Sequence, residues 1–144
     1  MKLSRRELAL LLPALAPAMA AAQTPARSGT SSSQTFRNED IPPARSGTLV
    51  SRPMLKAPTH TGFLLDLHES ELAAGDAPHA PHRHVHEELL LIREGLLEIT
   101  IAGNSTRLGP GSAAYLASNQ EHGWRNVGTT TARYFVLALG DDKA

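Results

Sequence analysis

From Thr59 onward, apolar and polar residues alternate in short runs separated by turn residues. A period of two marks a half-buried β-strand. The pattern predicts strands over Phe63–His68, Glu88–Arg93, Leu96–Ile101, Thr106–Leu108, Ser112–Leu116 and Arg133–Leu139. Turn residues divide them at Glu94-Gly95, Gly103-Asn104 and Gly109-Pro110-Gly111, and Gly75 to Pro81 reads as a loop. Leu90, Ile92, Leu97, Ile99 and Ile101 occupy the alternate positions of a barrel core. Outside the first residues, no window carries a sustained 3.6-residue apolar period. Six or more strands in about 80 residues predict an all-β antiparallel sandwich or barrel rather than alternating strands and helices.

The amino-terminal part has a different texture. Lys2, Arg5 and Arg6 precede an apolar Leu/Ala run from Leu8 to Ala22, which ends in small residues before Gln23. This is the three-part pattern of an export signal over residues 1–22. Within it, Ser4-Arg5-Arg6-Glu7-Leu8-Ala9-Leu10 resembles the twin-arginine pattern, which directs export of proteins already folded. A lasting membrane span needs about 20 apolar residues. This run is shorter and is interrupted by Pro13 and Pro17, so no stable membrane insertion is expected after processing. The expected location is the bacterial periplasm or beyond.

Residues 23–58 are rich in Pro, Ser, Thr, Gly and Arg and lack apolar periodicity. The expectation is a loose, partly extended segment to about residue 44, followed by an edge strand around Thr48 to Val50. Pro25-Ala26-Arg27-Ser28-Gly29-Thr30 recurs as Pro43-Ala44-Arg45-Ser46-Gly47-Thr48, too little for a repeat architecture. The domain itself is expected over residues 59–140, with 141–144 as a tail.

Composition narrows the chemistry. The 144 residues carry 14 Lys plus Arg against 14 Asp plus Glu, so the formal net charge is zero. There is no basic footprint for nucleic acid, and none is expected as a partner. Seven His and no Cys exclude a disulfide framework, a thiol nucleophile and a Cys-based metal site. Any metal site must be built from imidazole, carboxylate and water.

Four of the seven His fall between Gly75 and Glu88. In extended chain, residues two apart share a face, so His82 and His84 can grip one ion from the same side. Glu88 has the same parity and can add a carboxylate after a short bend. A third imidazole must come from far along the chain, where His122 alone lies in the second half of the domain. Such a mixed N/O set suits one divalent transition ion, and Fe, Mn, Zn, Ni and Cu all remain open.

Here the sequence resembles the cupins. Gly75, six residues, His82-Arg83-His84, three residues, Glu88, six residues and Gly95 follow the family's first motif. Gly111 leading to His122-Gly123-Trp124-Arg125-Asn126 follows its second. This chain departs by one extra residue in the first loop, by Ala117 where the family often has Pro, and by Asn119 where it often has Gly. The resemblance implies a double-stranded β-helix, or jelly-roll, barrel with His82, His84, Glu88 and His122 as metal ligands. It also implies that Glu88 can act catalytically, shifting between ligand and base. Relatives with this ligand set include dioxygenases, oxalate-degrading enzymes and isomerases. The implied partner is therefore a small oxygen-bearing organic molecule, with a non-catalytic binding or sensing module as the alternative.

The other polar residues divide around this set. His86 is open between an alternative ligand, a proton shuttle and a partly exposed side chain. His79 and His60 are expected as surface loop residues, and His68 as a strand end with a cap or surface ion pair. Trp124 shares the inward parity of His122 and either lines the pocket or fills core. Asn126 is structural by the family resemblance, and Arg125 points outward. Beyond the ligands, His86, Glu87 and Tyr115 are the candidates for a general acid or base. The extended segment from Arg45 to Met54 can pair with its own barrel or with a neighbour, and a homodimer is expected.

Overall fold

The computed structural model describes residues 32–140, so the expected export signal and the first copy of the repeated hexapeptide lie outside the described residues. Two antiparallel sheets face each other across one core, as the alternating pattern requires. The larger contains β1 (Ala44–Ser46), β2 (Leu49–Pro58), β3 (Leu64–Leu72), β4 (Glu87–Glu94), β7 (Ala113–Leu116) and β9 (Ala132–Leu139), in the order β1-β2-β3-β9-β4-β7. The smaller contains β5 (Leu97–Ile101), β6 (Asn104–Leu108) and β8 (His122–Asn126), in the order β6-β5-β8. The architecture is an all-β jelly roll, and no α-helix occurs among the described residues.

The core forms where the inward rows of the two sheets meet. Leu72, Leu90, Leu97, Leu116 and Tyr134 are fully buried, with Ile92, Ile99, Val136 and Trp124 beside them. Burying an aliphatic side chain of this size contributes about 2 kcal/mol. The five alternating positions expected in the core are there, although Ile101 is only half-buried at its margin. Gly95, between β4 and β5, is required twice over. Its φ is +82°, and a Cβ would sit 2.7 Å from the Ala132 Cα at the start of β9.

Several elements exceed their expected bounds, each for a local reason. The edge strand expected at Thr48 to Val50 continues to Pro58. It tolerates Pro53 and Pro58 because β1 covers only Leu49 to Ser51, leaving the later N–H edge unneeded. Strand β3 does not stop at His68 but runs through Glu69-Ser70-Glu71 to Leu72. Its polar stretch looked like an end, yet Glu69 is 1% exposed and its carboxylate accepts from Arg93 Nη1 at 2.7 Å and from Asn38 Nδ2. Asn38 opens a single 3-10 turn, so part of the segment expected to be loose is tied to the barrel. The second hexapeptide copy forms β1 and the tight turn into β2, with Gly47 at φ +58°. Arg45 to Met54 therefore pairs within its own sheet.

Candidate metal centre

Two segments far apart in sequence meet at one mouth of the barrel. The chain between β3 and β4 is pinned to β8 by a backbone bridge, in which His82 and His122 exchange N–H···O bonds of 2.9 and 3.0 Å. Further along, Asn126 N–H donates to Asp76 O and Gly75 N–H to Asn126 O. On the other side Asn119 N–H donates 2.8 Å to His84 O. Asn119 sits at φ +59°, a left-handed conformation that Asn tolerates. This explains why Asn stands where the resembling family often has Gly.

After His84 the chain bends at Val85-His86 and enters β4 at Glu87, which brings Glu88 back to the same side. The expected bend lies there. The imidazoles of His82, His84 and His122 pack with ring centroids 4.6–5.2 Å apart. One donor atom from each lies within 4.8 Å of the others. Glu88 Oε2 reaches 3.5 Å from His84 Nε2 and 3.8 Å from His122 Nε2. The four residues singled out in the sequence are thus brought together.

Hydrogen bonds set the tautomers. His84 Nδ1 lies 2.8 Å from His86 O, and His122 Nδ1 lies 2.8 Å from Gln120 O. A carbonyl can only accept, so both Nδ1 atoms carry the proton and both Nε2 atoms turn a lone pair inward. Four buried side-chain atoms among the described residues lack a hydrogen-bond partner: His82 Nδ1, His84 Nε2, Glu88 Oε2 and His122 Nε2. Buried polar atoms are nearly always satisfied, so four together need a reason. The Nε2 lone pairs of His84 and His122 and the Glu88 oxygen are acceptors, and acceptors without a donor are satisfied by a cation. An ion held at about 2.1 Å places its donors about 3–4 Å apart, the range in which Glu88 Oε2 lies from His84 Nε2 and His122 Nε2. Burial holds the His82 imidazole below its ordinary pKa, with His79, His122 and His84 acting in the same direction and Glu88 opposing them.

The remaining residues sort less evenly. His86 stacks on His84, with centroids 3.6 Å apart and planes 5° from parallel, and lies 3.3 Å from Glu88 Oε1. With His84 and Glu88 it forms a second group whose donor atoms lie within 4.8 Å. His79 is exposed but is no remote loop residue, since its ring meets His82 and Trp124 edge-on at 4.2 and 5.0 Å. His60 is exposed and distant from these rings. His68 lies within β3 rather than at its end, 3.7 Å from Asp66 Oδ1. Trp124 faces inward, 7% exposed, with its ring parallel to His122, and Nε1–H donates 2.9 Å to Tyr134 Oη. Arg125 is exposed and donates to Gly75 O.

Tyr115 does not join the site: it lies on the outer face of β7, 56% exposed, because Ala114 and Leu116 take the inward positions. Tyr134, which the sequence reading passed over, takes the interior place instead. Burial pushes its hydroxyl up to about 12. Its inward parity in β9 was the available signal. An opening of about 460 Å³, lined by Arg83, Val85 and Asn119 with His82, His84, His86 and Glu88, gives the cluster access to solvent.

The fold has counterparts among known proteins. Residues 68–138 match the family described as Cupin domain. A structure described as an RmlC-like cupin from Shewanella frigidimarina superposes with a TM-score of 0.64 at 17% identity, covering 78% of this chain and 95% of that one. KdgF from a Halomonas species gives 0.66 at 18%, covering 77% and 97%. A protein described as a predicted oxalate decarboxylase from Thermotoga maritima gives 0.65 at 15%, covering 75% and 100%. At these identities the likeness concerns the fold. No curated protein matches the sequence.

Proposed function

We propose that this cupin-domain chain is an exported protein that holds one divalent transition metal ion on His82, His84, Glu88 and His122 and acts on a small oxygen-bearing organic molecule. The observation that carries the reading is the convergence of four buried side-chain atoms without a hydrogen-bond partner, three of them acceptors. When bound, such an ion supplies Lewis acidity or a redox centre. The chain's own residues supply the rest. The carbonyls of His86 and Gln120 hold two imidazoles in the metal-ready tautomer, and Trp124 and the core behind it close the inner side of the cluster. The solvent opening beside Arg83 and Asn119 admits a small molecule. The chain's likeness in fold to a protein described as a predicted oxalate decarboxylase supports a small acid as one substrate class to test.

Elemental analysis of protein recovered from the periplasm tests the site, with about one ion per chain expected. A dioxygen-uptake screen with phenols, diketones and small acids then tests the chemistry. Protein that never holds an ion after such recovery overturns the reading. One observation favours non-catalytic binding or sensing as a second reading. Tyr115 faces away, and Tyr134 is engaged by Trp124 and keeps its proton, which leaves few groups for proton transfer. Turnover in the screen decides between the two.

Export rests on residues 1–22. Replacing Arg5-Arg6 by Lys-Lys is expected to trap the protein in the cytoplasm, and normal export of that variant removes the twin-arginine assignment. No helix among the described residues is long and apolar enough to cross a membrane. The homodimer proposal rests on β1, whose three residues are exposed at the edge of the larger sheet. Light scattering that returns a monomer mass at micromolar concentration overturns it.

A further inference from the structure

The short stretch between His84 and Glu88 contains a histidine that the proposed ligand set does not use. His86 makes three contacts there. Its carbonyl accepts from His84 Nδ1 at 2.8 Å, its ring lies flat on the His84 ring at 3.6 Å, and its Nε2 lies 3.3 Å from Glu88 Oε1. A carboxylate only accepts, so Nε2–H donates. The two oxygens of Glu88 are thereby made unequal. Oε1 is engaged by His86, while Oε2 is buried without a partner and faces His84 and His122.

We propose that His86 is a positioning residue, which holds Glu88 so that a single oxygen, Oε2, is presented to the three imidazoles. The inference rests on the metal-binding reading above and assigns a role that the sequence left open between ligand, proton shuttle and partly exposed side chain. A carboxylate free to rotate can offer both oxygens to an ion and so occupy two of its positions. Tying Oε1 to His86 confines Glu88 to one position and leaves another for an incoming molecule. The same residue fixes the proton of His84 through its carbonyl, so one bend orients two neighbouring donors. The alternative is direct ligation through the group His84, His86 and Glu88.

The test uses the full mature chain and Co(II), whose visible spectrum reports coordination. His86→Ala is expected to keep one Co(II) per chain, to bind it about 10-fold more weakly in chelator competition, and to change the spectrum. His86→Gln, whose amide can donate to the same oxygen, is expected to restore both to within about threefold of wild type. His86→Phe keeps the ring on His84 but has no donor, so it is expected to behave like His86→Ala; if His86→Ala fails to fold, the Gln and Phe pair carries the comparison. Loss of stoichiometric Co(II) in His86→Ala and His86→Phe makes His86 a ligand and overturns the proposal. A wild-type spectrum and affinity in His86→Phe, or a His86→Gln no better than His86→Phe, overturns it as well. A wild type that takes up no Co(II) removes the metal reading itself, a result distinct from the other two.

Discussion

The barrel buries two polar clusters, one beside the other, and treats them in opposite ways. Around Asn126 every group is paired. Nδ2–H donates to Leu72 O and Thr130 O, Oδ1 accepts from Gly128 N–H, and nearby Trp124 donates to Tyr134. Around His122, in the same strand and four residues earlier, four inward atoms have no partner. A satisfied buried network stabilises a fold, whereas unsatisfied groups cost about 1–3 kcal/mol each. The contrast divides β8: its end is tied into the barrel, and its beginning carries a side-chain nitrogen left without a partner.

The largest expected effect breaks the ligand side alone. Divalent ion at 100 times its dissociation constant should stabilise wild type by at most about 2.7 kcal/mol, seen as a shift in the urea midpoint. In His122→Ala that shift should vanish together with stoichiometric binding. An ion-dependent shift that survives in His122→Ala contradicts the site as described. On the structural side, Asn126→Ala should cost about 3 kcal/mol with or without the ion, because it strands two carbonyls and an N–H. A cost that ion abolishes would merge the two clusters into one.

Smaller effects sharpen the same division through pH. Tyr134 titrates near 12 in the fold and near 10 when unfolded. The unfolded chain therefore releases its proton first, and stability should fall as pH rises from about 10 to about 12. Tyr134→Phe should flatten that loss while costing about 1 kcal/mol at neutral pH through the hydrogen bond from Trp124. His82 shifts the other way, with its folded pKa below the ordinary value. The unfolded chain binds the proton first as pH drops below about 6.5, so the metal-free fold should lose stability there. His82→Gln should reduce this acid slope, and an unchanged slope assigns it to other groups.

Much of the barrel was legible because its signals are local. The two-residue period of Leu90 and Ile92, or of Leu97 and Ile99, states which face is buried without reference to any other strand. The ligand candidates were legible for a related reason: His82, His84 and Glu88 lie within seven residues, and His122 was the one distant imidazole in the right half. What failed to show was non-local. Glu69 reads as a strand terminator until Arg93 and Asn38 are placed over it. Tyr115 and Tyr134 are the same residue type, and parity against the opposite sheet alone sends one outward and the other into the core. His86 was ambiguous because its role depends on which oxygen of Glu88 it reaches.

The bridge between His82 and His122 also has a bearing on the order of events during folding. Contacts between distant parts of a chain form after a loop-closure entropy cost, and proteins built from them fold slowly. On the proposed ligand set, an ion would meet only the local run of His82, His84, His86 and Glu88 until the bridge closes. The unfolded chain would then be a weaker competitor for the same ion, which would lower the net stabilisation below what affinity for the finished site suggests. His122 would complete the proposed site only as the barrel closes, so resistance of a bound ion to a chelator would report completed folding.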